Sequence, residues 1–494
     1  MTGFYFKRIF FLLAFALGMI SCSGGTDGDN QNLPPQITSL SPNSMLRHMP
    51  AFTLRVLGAN FVANSRIVFN QAEKATTFIN SSELNCQVEA AETLGLAAKA
   101  SMDSPSAAVG DQSVPVLVRN PQGEGGDSGT VFFTFRANPA FANPKEISNT
   151  PGACFDPEIV AETAGNLYAA WENYNPGIAD IFFCRSIDHG ASWSSALNLS
   201  NNPVDSRHAN LAVGGNGRVF FLYGDDTPGY RDIYFRRSPD RGLSWGSKIN
   251  ISRSKGSSWW PDMAADGSGN VYIIWEENAN IEIDFSRSQD DGDSWSPPLN
   301  LSRHGGAGLV VMPSIALDGS GRLFAVWAGV GAWSGTVYFS RSSNQGSTWT
   351  LPIALASNAK ESKRPRVAVD MWGGVYVAWC GERAAYTDIY FRRSTDRGAH
   401  WDAAVNITND ARDLVDPVIA VDVLGNINVA WGEETPNTTW QIYFTRSTDK
   451  GATWSASSAV ITSFCQSPAL AADADCQLHL LFRAGGDILY ASTR

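Results

Sequence analysis

The chain is short of cysteine, of histidine and of positive charge, and each shortage excludes a class of protein. Seven cysteines in 494 residues are too few for a disulfide-dependent fold. No metal-ligand spacing appears among them, so no metal and no cofactor is expected. A formal net charge of −11 excludes a nucleic-acid partner, because binding a phosphate backbone needs a basic surface that releases counterions. Helix formers are concentrated nowhere beyond residue 25. What the chain has instead is 45 glycines, 16 tryptophans and 26 phenylalanines, with 44% hydrophobic against 17% charged residues. That composition is globular and all-β, built from many short strands joined by tight turns.

Lys7 and Arg8 precede the apolar run from Ile9 to Ile20, too short to span a bilayer but right for the core of an export signal. The run ends in Met19-Ile20-Ser21-Cys22, which resembles a bacterial lipobox. The resemblance implies that residues 1–22 are a lipoprotein signal peptide, that Cys22 is acylated, and that the membrane is a partner through the lipid anchor. Residues 23–34 are rich in Gly, Asp and Asn, too polar to bury anything, and read as a flexible tether. The expected location is the cell envelope, with Ser23 favouring the outer membrane.

Residues 35–137 read as a separate unit. Phe52-Thr-Leu-Arg-Val-Leu-Gly58, Arg66-Ile-Val-Phe69, Val114-Pro-Val-Leu-Val118 and Val131-Phe-Phe-Thr-Phe135 alternate with period two, punctuated by turn residues, which predicts a β-sandwich. With the opening Ile37-Thr-Ser-Leu-Ser-Pro42, the central Gly58-Ala-Asn-Phe61 and the closing Val118-Arg-Asn-Pro121, the segment resembles the IPT/TIG immunoglobulin-like domains. Such domains serve mostly as spacers or binding modules. The Ala-rich stretch Glu89 to Ala108 fits the pattern least.

Beyond residue 144 the chain repeats. Pro157, Pro261, Pro313, Pro365 and Pro417 fall at multiples of 52 residues, with Ala209 in the missing slot and Pro468 one residue short. The same period carries Trp171, Tyr223, Trp275, Trp327, Trp379 and Trp431, with Phe482 in the seventh copy. Seven copies predict a seven-bladed β-propeller over 144–494. Between third and fourth strands lies Ser-x-Asp-x-Gly-x-x-Trp, as in Ser186-Ile-Asp188-His-Gly190-Ala-Ser-Trp193. It recurs on Asp240, Asp290, Asn344, Asp396 and Asp449. Gly supplies positive φ, the carboxylate or amide accepts turn N–H groups, and the ring pins the turn. These residues build rather than catalyse, and the motif is similar to the Asp box of the bacterial neuraminidase repeats.

The seventh copy stops after its third strand, and Lys145-Glu-Ile-Ser148 has the pattern of the strand it lacks, which would close the ring and remove its edges. Cys154 and Cys465 each lie three residues before the repeat proline, on units that meet only on closure, so a disulfide between them is one expectation and two free thiols the other.

The resemblance implies that the Asp boxes lie on one face and that the loops before the first strand and after the second line the opposite, ligand-binding face; by phase that face carries Asp156, His208, Trp260, Arg364 and Asp416 before the repeat proline, and Glu172, Glu276, Glu382 and Glu433 after the second strand, with Arg207, Asp262 and Arg366 nearby. Carboxylates, arginines and aromatic rings together suit a sugar or a charged peptide. Two functions follow. The preferred one is an anchored binding or scaffold module for a glycan or an envelope or extracellular protein; the alternative is an exo-acting glycosidase, which the sialidase resemblance implies. Sialidases use an arginine triad with a Tyr/Glu pair and open with Arg-Ile-Pro; here Phe155-Asp156-Pro157 stands in that place, and no catalytic residue is assigned.

Overall fold

The computed structural model describes residues 33–41, 44–46, 52–89, 112–136, 141–142 and 144–493, with short breaks at 176, 228, 304–308, 331–334, 357–361, 384–385, 409–412, 435–438 and 463–464. The leader, Cys22 and most of the tether lie outside these residues, as does all of the Ala-rich stretch after Glu89.

The N-terminal unit is two sheets around one core. One orders Gln36–Ser41, Phe52–Ala59, Glu83–Val88 and Thr76–Asn80; the other orders Ser44–Leu46, Val131–Arg136, Gln112–Arg119, Arg66–Phe69 and Ala72–Glu73. Period-two alternation does its expected work here: Leu54 and Val56, then Val114, Val116 and Val118, point inward and are almost wholly buried with Ile67, Phe69 and Phe133. Their burial supplies the apolar area that holds the two sheets together.

The remainder is a propeller-like ring of four-stranded antiparallel sheets, seven among the described residues. Sheet one consists of Ala153–Ala161, Leu167–Asn175, Ile178–Ser186 and Leu197–Asn198. Sheets two to six repeat it, beginning at Ser206, Ser258, Leu309, Ser362 and Leu414. First strands touch in cyclic order, and the first strand of sheet seven, Cys465–Ala472, returns to Ala153–Ala161. Second strands are flanked on both edges and packed on both faces, so they lose the alternation of a half-exposed strand and run continuously buried, as in Leu167-Tyr-Ala-Ala-Trp-Glu-Asn173. Trp171, Trp275, Trp327, Trp379 and Trp431 are each no more than 1% exposed there.

Sheet seven draws its outer strand from before the ring. Lys145–Glu146 pairs antiparallel with Asp487–Ser492, opposite Tyr490 and Leu489, and Ser148 Oγ accepts the Ile488 N–H at 3.1 Å.

Each Ser-x-Asp-x-Gly-x-x-Trp turn is closed by the same bonds. In the first, Asp188 Oδ1 accepts the Ser186 hydroxyl at 2.7 Å and the Ser192 N–H at 2.9 Å, while Gly190 N–H donates to Ser186 Oγ at 2.9 Å. The box tryptophan then meets an aromatic ring of the preceding sheet edge-on. Trp245 on Phe183, Trp295 on Phe235, Trp349 on Phe285, Trp401 on Phe339, Trp454 on Phe391 and Trp193 on Tyr490 all lie 4.8–5.1 Å apart. Sheet seven has no box, and Phe141 from the closing segment packs against Phe444 in its stead, at 5.9 Å.

Of the two outcomes open for Cys154 and Cys465, the structure has both as free thiols. Equivalent repeat positions point to the same face of their sheets, so their side chains enter different layers. Cys154 packs with Trp171 and Leu481, and Cys465 with Phe482 and Ile442. A sheet thickness of about 10 Å separates such layers, well beyond disulfide reach.

Candidate functional site

One backbone feature recurs in all seven sheets. Asp156, His208, Trp260, Met312, Arg364, Asp416 and Ser467 have φ of 42, 56, 46, 55, 52, 53 and 50°, the left-handed region that non-glycine residues seldom enter. Each sits at a slip in the ladder between first and second strands, for example between Phe155 and Glu158 or between Lys363 and Arg366. The residue and the proline after it (Ala209 in sheet two) form a bulge. Holding a bulky residue this way costs on the order of 1–3 kcal/mol, and repeating it sevenfold turns all seven side chains to the ring axis.

There they line a cavity of about 440 Å³ together with the side chains just past the proline: Glu158, Asn210, Asp262, Ser314 and Arg366. Its wall is chemically lopsided. Asp156 and Glu158 come from sheet one, His208 and Trp260 from sheets two and three, and Arg364, Arg366 and Asp416 from sheets five and six. The His208 and Trp260 rings lie 4.0 Å apart, forming an aromatic shelf. Arg364 is ion-paired with Asp416. Arg366 makes no ion pair among the described residues, so its guanidinium is left for the cavity.

Depth perturbs the acids. Burial pushes Glu158 up to about 7, opposed by Arg366; facing the cavity leaves the residue some accessible surface without restoring bulk hydration. Burial also raises Asp156, against the pull of Arg364, Arg366, Arg207 and Arg483. Glu172 is pushed up to about 7 by burial and by the Asp156 charge. His208 is pushed down to about 3 by burial and by Arg231 and Arg207, so its imidazole is neutral at pH 7.

Asp156, Glu172 and His208 bring potential metal-ligand atoms within 4.8 Å of one another. Glu172 is otherwise engaged: Oε1 accepts the His208 N–H at 2.6 Å and Oε2 lies 3.7 Å from Arg207. Its repeat counterpart Glu276 accepts the Met312 N–H in the same way. The pair acts as a clasp that holds the next sheet's bulge.

Seven of the twelve residues singled out from the sequence therefore line the cavity: Asp156, His208, Trp260, Asp262, Arg364, Arg366 and Asp416. Asp262 is tied up, accepting from Asn210 Nδ2 at 3.0 Å and from the Ile315 N–H at 2.8 Å. Glu172 and Glu276 lie behind the wall, Arg207 beside Glu172. Glu382 and Glu433 are not among the residues that line this cavity. They sit two and one positions past the Glu172 phase, respectively, and Glu433 is 1% exposed within its sheet. Glu158, the acid sequence reasoning missed, was marked by one signal: it follows the repeat proline, the phase of Asp262 and Arg366.

No protein-family model matches the chain, and no curated protein matches it. Solved structures do. An ulvan lyase of polysaccharide lyase family 25 is similar at 11% identity over 72% of this chain and 94% of its own, with a TM-score of 0.50. The Hadza microbial sialidase Hz136 matches at 13% identity, 84% and 78% coverage and a TM-score of 0.43. An α-L-arabinofuranosidase from Fusarium graminearum matches at 14% identity, 72% and 98% coverage and a TM-score of 0.45. At these identities the likeness concerns the propeller fold alone.

Proposed function

We propose that this chain is an envelope-anchored carbohydrate-binding protein: a seven-bladed Asp-box propeller behind an immunoglobulin-like domain, tethered through acylated Cys22, that takes an acidic sugar residue in its axial cavity. The observation that carries the reading is the cavity wall, where the Trp260–His208 shelf stands in the same chamber as the unpaired Arg366. A sugar ring stacks on such a shelf, and a guanidinium binds a carboxylate in bidentate fashion. The likeness to carbohydrate-active propellers is compatible with this choice of ligand and does not decide it.

A glycosidase is the second reading, favoured by a specific feature: two carboxyl groups, Asp156 and Glu158, line the cavity together, and burial holds the Glu158 carboxyl up to about 7, the raised acid that glycoside hydrolysis uses. Calorimetric titration with uronic-acid and neutral oligosaccharides, run beside a fluorogenic glycoside panel, separates the two. Binding of acidic but not neutral sugars, lost in Arg366→Ala and Trp260→Ala with no turnover, supports the binding role. Turnover abolished by Glu158→Gln or Asp156→Asn establishes the enzyme, and absence of both refutes the axial site.

A further inference from the structure

The repeat serves as its own control, and two of its units break pattern together. The hairpin joining first and second strands ends in a two-residue tip before a positive-φ residue. Five tips are small or polar: Thr163-Ala164, Gly215-Asn216, Gly267-Ser268, Gly319-Ser320 and Ala474-Asp475. The neighbouring tips of sheets five and six are Met371-Trp372 and Val423-Leu424, exposed by 74, 49, 48 and 64%. They form one patch: the Trp372 ring overlies Gly425, 2.6 Å from where a Cβ would stand. Packing of the ring does not require the other three apolar side chains, and nothing in the fold buries them.

Two cations stand at the edge of this patch although the protein carries a net charge of −11, and the exposed Asp475 lies on the far side, where the Leu424 backbone bonds to Cys476. At the Asp-box position beside each tip stand Arg397, whose side chain lies along Gly373, and Lys450, whose ammonium sits 4.9 Å over the Trp372 ring. Lys450 also lies 3.8 Å from the buried Asp370 carboxylate, whereas Arg397 makes no ion pair among the described residues. The tips occupy the Asp-box end of the sheets, where Arg397 N–H donates to the Gly373 carbonyl. The axial bulges lie toward the other end of the first strands.

We propose that the Met371-Trp372 and Val423-Leu424 tips dock on an anionic lipid bilayer, seating four apolar side chains below the headgroups with Arg397 and Lys450 at the phosphate level. Tryptophan with flanking Arg and Lys is the side-chain set that an interface with acidic lipid selects. A protein partner is less well served, because four side chains cannot supply the roughly 800 Å² per partner that a stable interface buries. Docking in this pose directs the bulge end of the ring away from the membrane. The proposal is independent of what the cavity binds.

The test uses the chain from Ser23 onward, which keeps every described residue, with vesicles of phosphatidylcholine alone or with one third phosphatidylglycerol. Co-sedimentation is expected with the anionic vesicles, reduced by roughly tenfold in Trp372→Ser/Leu424→Ser and by high salt, and unchanged in Leu351→Ser, an exposed leucine elsewhere. Brominated acyl chains should quench an emission component that Trp372→Phe lacks. Unaltered melting of the variants verifies folding. Equal binding by the double variant, no binding at all, or a concentration-dependent dimer abolished by the same substitutions would each overturn the proposal.

Discussion

Glu276 offers the sharpest test of the electrostatics behind the cavity wall. It is 8% exposed, burial lifts it from 4.5 to about 7, and the only opposing influence is the Met312 N–H it accepts. Because the folded-state value is the higher one, the native protein holds this proton more tightly than the unfolded chain. Stability is therefore undiminished below pH 4.5, falls as pH rises from 4.5 to 7, and is flat above. The difference corresponds to about 3 kcal/mol at pH 8. Glu276→Gln reproduces the protonated acid, keeping an oxygen for the Met312 N–H and never ionising. In a ring of this size 1 kcal/mol moves Tm by roughly 1–2 °C, so the variant should melt about 3–5 °C above wild type at pH 8 and within about 1 °C of it at pH 4.5. Calorimetry at both pH values decides. An equal loss of Tm at both would mean that Glu276 is ionised in the native protein, and the burial argument would fail.

Other expectations follow from the ring. Trp349→Ala, which removes a 6% exposed indole from its edge contact with Phe285, should lower stability by about 3–5 kcal/mol in denaturant titration. Cys154 and Cys465 should resist a thiol reagent in the native state, react after denaturation, and show no mass change on reduction. Ile147→Ala, at a 6% exposed side chain of the closing segment, should cost about 2–4 kcal/mol and accelerate proteolysis within 144–150. Asp188, Asp240 and Asp290 are held down to about 2 by hydroxyl and N–H donors. Their contribution is present above pH 4 and lost as pH falls toward 2, so Asp188→Ala should flatten the acid limb of the Tm profile.

The fold was legible because the repeat is written in residues whose physics is local. A Ser-x-Asp-x-Gly-x-x-Trp turn closes its hydrogen bonds within seven residues of chain, so its Ser, Asp and Gly can be read without knowing what lies beside them. The fourth strand missing from the last unit, and a matching segment before the first, were likewise visible as pattern, and Lys145–Glu146 does pair with Asp487–Ser492. The site was legible only in phase. Counting from the repeat proline located Asp156, His208, Trp260, Arg364 and Asp416, yet gave no reason for them to converge, since the left-handed bulge that aims them is a property of the strand pair.

What the sequence by itself determined is the number, order and turn chemistry of the units, because each rests on contacts a few residues apart. What only the tertiary structure decided is everything that depends on which face of a sheet a residue meets. Cys154 and Cys465 share a phase and for that reason enter different layers; Arg364 finds Asp416 on the next sheet while Arg366 faces the cavity; Glu158 and Glu276 lose their water. Sequence spacing records distance along the chain, whereas charge, proton affinity and cross-linking respond to distance through space.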